Sequence, residues 1–366
     1  MSGSSATANL VDGYDGIVCD LDGVIYRGHE AVPYAVESLS SVLSAGLHIV
    51  YATNNASRSP DQVSAHLESL GLPGPSSRVV TSAQAGAGYV AQRCPGGSRV
   101  LAVGGPGVSL ALREAGLLPI CAQPTSEQPT AAEASRPDEP PVAVLQGYGS
   151  QVAWTDLAEA AYAVQAGALW VATNIDSTLP TGRGMAPGNG ALVGAVREAV
   201  NVDPVVVGKP QTPLYELSVA VLGTSCERTL AIGDRLDTDV KGATAAGMDS
   251  LFVLGGVHRW ADLVCAERTS RPRYVATDLR SLREPYREPV QDLQDASRWV
   301  CGQAQAWVST SGDLAVSQTG SLNERLRAAL TALWHECDAR GRPVDARSGD
   351  GAAMADELEM AVAHHS

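Results

Sequence analysis

Four short polar segments, each placed after an apolar run, carry the residue types that phosphoryl transfer requires. In chain order they are Asp20-Leu-Asp22, Thr53-Asn54-Asn55, Lys209-Pro, and Gly233-Asp234-Arg-Leu-Asp237-Thr-Asp239. Together they supply a nucleophile, an acid/base, a hydroxyl, a cation and metal-binding carboxylates. This set favours transfer through an aspartyl-phosphate. Taken singly, the Thr53 and Lys209 segments are more typical of ordinary loops than of a phosphate site. The Asp20 segment is equally typical of an Asp-rich turn, so the prediction depends on all four segments occurring together.

The first segment has two carboxylates that can take different roles. Asp20 would attack phosphorus, and Asp22 would protonate the leaving oxygen and then deprotonate the attacking water. Gly23 frees the backbone for a tight turn at this point. Because ligands of open α/β sheets collect at the carboxyl ends of the strands, the predicted place of this pair at a strand end is suitable for a site.

The other three segments predict phosphate and metal binding. The Thr53 hydroxyl and the neighbouring amides can hold phosphate oxygens, and Lys209 can neutralise phosphate charge. Carboxylates at the end of a buried strand are costly unless they bind a cation or are hydrogen-bonded. Mg²⁺ prefers a few carboxylates together with water and substrate oxygens. We therefore predict Asp234 as a direct Mg²⁺ ligand, with Asp237 and Asp239 behind it or bonded within the loop.

Composition restricts the class of protein. The chain has 366 residues, an apolar fraction of 45% and a formal net charge of −14, which argues against a nucleic-acid partner. Its seven cysteines are scattered without a C-x-x-C pattern, which is typical of thiols in a reducing compartment. No signal-peptide pattern and no apolar run of about 20 residues is evident. These features predict a cytoplasmic protein that does not enter a membrane.

Short apolar runs alternate with helical patterns, which predicts an α/β fold with doubly wound parallel sheets in a Rossmann-like core. The predicted strands are 17–19, 47–52, 100–103, 142–145, 169–172, 205–207, 229–232 and 250–254, and the predicted helices include 33–45, 62–70, 157–166, 190–200 and 213–222. A proline-rich loop is predicted at 124–141. Beyond residue 284 we expect a small α+β module with a strand at 299–309, a hairpin partner at 313–317 and a helix at 322–337.

In this order and spacing, the four segments resemble those of the haloacid dehalogenase-like phosphatase superfamily. The similarity is strongest to the NagD and p-nitrophenylphosphatase subgroup, which carries a large α/β cap. The resemblance implies that Asp20 is the nucleophile and a Mg²⁺ ligand and that Asp22 is the acid/base, binding Mg²⁺ through its carbonyl. It also implies that Thr53, Asn54, Asn55 and Lys209 bind phosphate and that Asp234 completes the metal ligands. Thr173 lies in an Ala-Thr-Asn sequence like that of Thr53, also at the end of a predicted strand. The resemblance implies that Thr173 belongs to the cap.

The resemblance also implies a division into domains. The core would comprise residues 1–82 and 190–283, the cap residues 83–189, and the C-terminal module residues 284–366. Asn174, Asp176 and Arg183, in the closing segment of the cap, are candidates for substrate contact, although each could equally brace its own loop. The subgroup's caps often mediate dimers, so a homodimer is compatible with the sequence. The C-terminal module is faintly similar to a truncated acetyltransferase, but Arg347-Ser-Gly349-Asp-Gly351 does not match that family's pyrophosphate loop.

We therefore expect Mg²⁺-dependent hydrolysis of a small phosphomonoester, with glycerol 3-phosphate the leading substrate by resemblance. Phosphoglycolate, or another small sugar phosphate or nucleotide, is the alternative substrate. A catalytically silent binding or regulatory protein is the alternative of another class.

Overall fold

The computed structural model describes residues 8–122, 139–181, 183–341 and 344–363. Most of the predicted proline-rich loop, residues 124–138, lies outside these ranges. The strands are β1 (Gly16–Cys19), β2 (Tyr26–Arg27), β3 (Glu30–Ala31), β4 (His48–Thr53), β5 (Val79–Thr81), β6 (Arg99–Val103), β7 (Leu118–Ile120), β8 (Ala143–Gln146), β9 (Leu169–Ala172), β10 (Thr178–Thr181), β11 (Gly184–Pro187), β12 (Val205–Val206), β13 (Thr229–Gly233), β14 (Asp249–Val253), β15 (Tyr274–Ala276), β16 (Val290–Gln291), β17 (Arg298–Cys301), β18 (Ala304–Val308) and β19 (Leu314–Val316).

The helices alternate with the strands over most of the chain. They are α1 (Ala35–Ser44), α2 (Pro60–Ser69), α3 (Ser82–Ala91), α4 (Pro106–Glu114), α5 (Trp154–Gln165), α6 (Asn189–Val200), α7 (Pro213–Leu222), α8 (Lys241–Ala245), α9 (Trp260–Val264), α10 (Leu322–Arg340) and α11 (Gly351–Ala363). None of the helices in the described ranges has the length and hydropathy needed to cross a membrane.

The chain divides into two units, residues 1–49 with 224–366 and residues 50–223. In the first unit, β15, β14, β13 and β1 lie side by side in that order and run parallel. All four residues of β1 and all five of β13 are buried, as expected for strands covered on both faces. The same unit contains the β2–β3 hairpin and an antiparallel sheet in the order β16-β17-β18-β19.

The second unit contains a parallel five-stranded sheet in the order β12-β9-β8-β6-β7 and the parallel pair of β4 and β5. It also contains the antiparallel hairpin of β10 and β11. The predicted α/β class with parallel sheets is thus confirmed, and every strand and helix predicted before residue 284 is present within a few residues of its predicted bounds. The three-residue strands β5, β7 and β15 were not predicted, because so short a run carries no distinct pattern.

The C-terminal region differs from its prediction in one respect. Residues 299–309, predicted as one strand, form β17 and β18, which pair with each other around a turn. Gly302 at this turn has φ +59°, a left-handed conformation that glycine adopts at little cost. The predicted hairpin partner is confirmed as β19, and the predicted helix as α10, which extends to Arg340.

The first unit has a hydrophobic core that its parallel sheet shares with the C-terminal residues. Phe252 and Val275 from the sheet belong to the same buried cluster as Ala306 of β18 and Leu330 of α10. The buried Arg327 of α10 donates from Nε to the Val275 carbonyl at 3.0 Å. Residues 284–366 therefore cover apolar surface of the sheet.

We expect Leu330→Ala to lower the free energy of unfolding by about 2–5 kcal/mol, the usual cost of a core cavity of this size. Leu330 is 1% exposed and lies in the shared cluster. Leu293→Ala is the matched control, because that side chain is fully exposed and its loss should change the free energy by less than about 0.5 kcal/mol. Urea unfolding measures the free energy of unfolding of both variants. Equal losses in Leu330→Ala and Leu293→Ala would contradict the shared core.

Candidate active site

The carboxylates of the first unit meet where β1 and β13 end. The two strands pair in register with Cys19 opposite Ile232, and the Asp20 amide continues the ladder by donating to the Ile232 carbonyl at 2.9 Å. Asp20 directly follows β1, and Asp234 directly follows β13. Parallel pairing therefore places these two residues at the same edge of the sheet.

Asp239 completes a group of three. Oxygen atoms of Asp20, Asp234 and Asp239 all lie within 4.8 Å of one another. Asp239 comes from a π-helical turn, Leu236–Val240, which returns its side chain against Gly233. A Cβ on Gly233 would lie 2.2 Å from the Cβ of Asp239, so this return requires glycine.

The three carboxylates are suitable ligands for a divalent cation. Asp234 is fully buried and Asp239 is 4% exposed. Like charges this close repel each other and cost free energy unless a cation lies among them. Oxygen donors of this kind match the preference of Mg²⁺. The donor set present therefore fits the metal that the sequence predicted.

Backbone loops hold Asp234 tightly. The Val257 amide donates to Asp234 Oδ2 at 2.6 Å. A Cβ on Gly23 would lie 2.5 Å from the same oxygen, and a Cβ on Gly256 would lie 1.6 Å from it. Glycine at both positions lets the backbone approach the carboxylate closely, so the orientation of Asp234 depends on these two loops.

Asp22 and Asp237 do not belong to the group formed by Asp20, Asp234 and Asp239. Asp22 is exposed, just before the turn at Gly23. Asp237 receives two hydrogen bonds from Arg235, at 3.0 and 2.8 Å. Burial alone would raise the pKa of Asp237, but these bonds and the Arg235 charge hold it below its usual value. Asp237 thus bonds its own loop.

The second unit brings together most of the predicted phosphate-binding residues. Lys209 is 4% exposed, and its Nζ donates to the Ala52 carbonyl at 3.2 Å. Asn54 accepts at Oδ1 from the Lys209 amide at 2.8 Å and donates from Nδ2 to the Lys209 carbonyl at 3.0 Å. Thr53, at the buried end of β4, accepts at its hydroxyl from the Asn55 amide at 3.0 Å.

The predicted substrate contacts Asn174 and Asp176 belong to the same network. Asn174 Nδ2 donates to the Asn54 carbonyl at 2.8 Å, and its Oδ1 accepts from the Asp176 amide at 3.1 Å. Asp176 Oδ2 accepts from Asn54 Nδ2 at 3.3 Å. Arg183 is exposed, near the turn between β10 and β11.

Two further residues of this network were not singled out from the sequence. Ser82 Oγ donates to the Asn54 carbonyl at 2.6 Å, and Asn189 Nδ2 donates to the Asn174 carbonyl at 2.7 Å. Both side chains are buried. Each begins a helix, α3 or α6, after a short strand, and no local pattern distinguishes such a residue from an ordinary helix start.

Comparisons with known proteins agree with this geometry. Residues 17–118 match the haloacid dehalogenase-like hydrolase model, and residues 206–282 match a related HAD-hydrolase-like model. The D-glycerol 3-phosphate phosphatase of Mycobacterium tuberculosis is 40% identical over 352 residues, covering 95% of this chain and 94% of its own length. The chain belongs to the haloacid dehalogenase-like hydrolase family. The resemblance predicted from the four segments is thereby confirmed.

Other relatives of the family are phosphatases as well. An acid sugar phosphatase of Staphylococcus aureus is 32% identical, covering 73% of this chain and 95% of its own length. A crystal structure of the M. tuberculosis glycerol phosphate phosphatase with magnesium has a TM-score of 0.77 at 38% identity, covering 98% of this chain and 99% of that one. The p-nitrophenyl phosphatase of Archaeoglobus fulgidus has a TM-score of 0.65 at 27% identity, covering 74% and 98%.

Proposed function

We propose that this haloacid dehalogenase-like hydrolase is a Mg²⁺-dependent phosphatase that hydrolyses glycerol 3-phosphate to glycerol and phosphate. The group of Asp20, Asp234 and Asp239 carries the proposal, because it combines a nucleophile at a strand end with carboxylates that suit a divalent cation. The substrate is supported by the 40% identity to the mycobacterial enzyme over nearly the whole of both chains.

In the proposed mechanism, a carboxylate oxygen of Asp20 forms a bond to phosphorus as the bond from phosphorus to the glycerol oxygen breaks. Asp22 gives its proton to that leaving oxygen. A water molecule then attacks the phosphorus of the aspartyl-phosphate, and Asp22 accepts its proton as the carboxylate of Asp20 is released. The exposed position of Asp22 supports this role, because the residue must exchange protons with substrate and water.

The remaining residues would bind phosphate and metal. Asp20, Asp234 and Asp239 would hold Mg²⁺, with the Asp22 carbonyl as a further ligand, and Mg²⁺ would neutralise phosphate charge. Lys209 and Thr53 would bind phosphoryl oxygens, with Asn54 holding the Lys209 backbone. Asn174 and Asp176 would position Asn54. Arg183, being exposed, is the residue of this set best suited to contact the glycerol group.

A small sugar phosphate is the second candidate substrate, favoured by the similarity to the staphylococcal acid sugar phosphatase. Phosphate release from glycerol 3-phosphate, phosphoglycolate and small sugar phosphates, with Mg²⁺ and with a chelator, tests the proposal. We expect Mg²⁺-dependent release, with the highest kcat/KM for glycerol 3-phosphate. A higher value for a sugar phosphate would select the second candidate, and no release from any ester would favour a silent binding protein.

The prediction for Asn189 concerns positioning. Asn189→Ala removes the bond to the Asn174 carbonyl, and we expect kcat/KM to fall about 10–100-fold because Asn54 loses its alignment. Binding of inorganic phosphate, measured by calorimetry, should weaken in parallel. Glu198→Ala, on the exposed face of the same helix, is the control and should leave both unchanged. Unaltered phosphate affinity in Asn189→Ala would exclude the positioning role.

Three further proposals concern the rest of the protein. We propose a reducing, cytoplasmic location, supported by the lack of a disulfide among the seven cysteines, all of which are in the described ranges.

For the division into core, cap and C-terminal module we keep the predicted boundaries as a proposal. A packing role, without acetyl transfer, is proposed for residues 284–366 and is supported by the cluster they share with the sheet.

A further inference from the structure

The first unit contains a cavity of about 290 Å³ outside the carboxylate cluster. One wall is formed by the loop after Asp22 and by the β2–β3 hairpin. A second is formed by the ends of β14 and β15, and the third by the start of α10 and the end of α11. This volume lies at the lower end of the range for small-molecule sites. The cavity exists because the C-terminal residues lie over the sheet edge without filling it.

Most of the cavity's charges compensate one another. Arg280 donates two hydrogen bonds to Asp278, at 2.9 and 2.8 Å, and its guanidinium lies 3.8 Å from the centre of the Tyr34 ring. The Asp278 hydrogen bonds, with a smaller contribution from the Glu284 charge, raise the pKa of Arg280. Both acidic residues that line the cavity, Asp278 and Glu284, therefore interact electrostatically with Arg280.

Arg27 is the exception. Its backbone pairs with Glu30 across the hairpin, but among the described residues its guanidinium forms no hydrogen bond and no ion pair, including with the Glu30 carboxylate. Its guanidinium lies 3.3 Å from where a Cβ on Gly255 would be, and both residues line the cavity. The φ of Gly255 is +146°, a conformation that disfavours any residue with a side chain. The Arg27 guanidinium therefore lies directly against the Gly255 backbone, with no side chain between them.

The rest of the lining indicates the kind of ligand. Apolar side chains, among them Val24, Leu254 and Val362, form much of the surface. One guanidinium offers one planar fork, which matches a single carboxylate, whereas a phosphate dianion would leave its second charge without a cation. A small carboxylate with an apolar body therefore fits both the charge and the lining.

Two cavity walls continue directly into the catalytic loops. Gly23 follows Asp22, the proposed acid/base. Gly255 is followed by Gly256, whose backbone lies against the Asp234 carboxylate, and by Val257, whose amide donates to it. We propose that this cavity is an effector site for a small apolar carboxylate, bound through Arg27. A carboxylate bound in the cavity changes the stability of the loop after Asp22 and of the loop from Gly255 to Val257, and thereby changes the rate of phosphate-ester hydrolysis.

Binding of phenylacetate and of hexanoate, measured by calorimetry, tests the site directly. We expect saturable binding that weakens at least 10-fold in Arg27→Ala. Arg283→Ala is the matched control and should bind normally, because that guanidinium bonds Ser41 and does not line the cavity. The uncharged phenylacetamide should not bind. Failure of both carboxylates to bind, or equal binding to Arg27→Ala, would overturn the proposal.

A filled cavity provides an independent test. Ala361 lines the cavity, whereas Ala363, two residues further along α11, is exposed and does not. We expect Ala361→Trp to abolish carboxylate binding and Ala363→Trp to preserve it. Binding that survives Ala361→Trp would place the ligand elsewhere and overturn the assignment.

The regulatory part rests on the proposed phosphatase activity and is tested separately. Saturating phenylacetate or hexanoate should change kcat/KM for glycerol 3-phosphate at least 2-fold in the wild type and in Arg283→Ala, and not in Arg27→Ala. Binding with unchanged turnover would overturn the effector role. Because calorimetry requires no turnover, a failure of the proposed phosphatase activity would be recognised independently of the cavity.

Discussion

Asp20→Asn is expected to lower kcat for glycerol 3-phosphate by at least about 10³-fold, because removal of a catalytic nucleophile has effects of this size or larger. The amide is a far weaker nucleophile, and it removes one of the three charges that suit a cation. Phosphate release under single-turnover conditions is the measurement. In the wild type, acid quenching should capture a covalent phosphoenzyme that the variant does not form.

The control for this variant is Glu37→Gln, which neutralises an exposed carboxylate on α1 and should leave kcat unchanged. Asp22→Asn should reduce kcat about 10²–10⁴-fold, the usual contribution of a general acid/base. If Asp20→Asn still turned over near the wild-type rate, direct attack by water would replace the aspartyl-phosphate mechanism.

Gly256→Ala is also expected to have a large effect on kcat, although the residue itself carries no chemical group. Its new methyl group would lie 1.6 Å from Asp234 Oδ2, so either the carboxylate or the loop must move. A displacement of about 1 Å at a catalytic group can cost about 10²-fold in rate, and we expect kcat to fall by at least this factor. The apparent affinity for Mg²⁺, measured as the concentration at half-maximal rate, should weaken as well.

Gly13→Ala is the matched control for this substitution, because nothing lies within 4 Å of a Cβ at Gly13. It adds the same methyl group to the same unit and should leave kcat and the Mg²⁺ dependence unchanged. Thermal unfolding of both variants separates a local effect from loss of the fold. Wild-type Mg²⁺ dependence in Gly256→Ala would mean that Asp234 is not required in its present orientation.

The positions of most candidate site residues could be predicted, because these residues directly follow strands. An apolar run followed by Asp20, or by Asp234, is a local pattern, and parallel strands place their carboxyl ends at one edge. The same argument led to Thr53 and Lys209. The C-terminal hairpin was harder to predict. Apolar and polar residues alternate along 299–309 through the turn at Gly302, as they would in one continuous strand.

Residues placed by long-range contacts could not be predicted in this way. Asp237 and Asp239 are two residues apart in one acidic loop, and the sequence does not distinguish them. The π-helical turn returns Asp239 to the carboxylate cluster, whereas Asp237 bonds Arg235. Likewise, Asn189 reaches Asn174 only because a hairpin brings the start of α6 back to the end of β9.

The sequence by itself determined the family and the α/β class and predicted the candidate site residues, because these depend on residue type and on local strand and helix periodicity. Only the tertiary structure decided which carboxylates lie together, which contacts hold Lys209 and Asn54, and where a cavity lies beside the loops that follow Asp22 and β14. These features depend on backbone paths that meet over long sequence separations. Packing free energy, which no local pattern records, selects those paths.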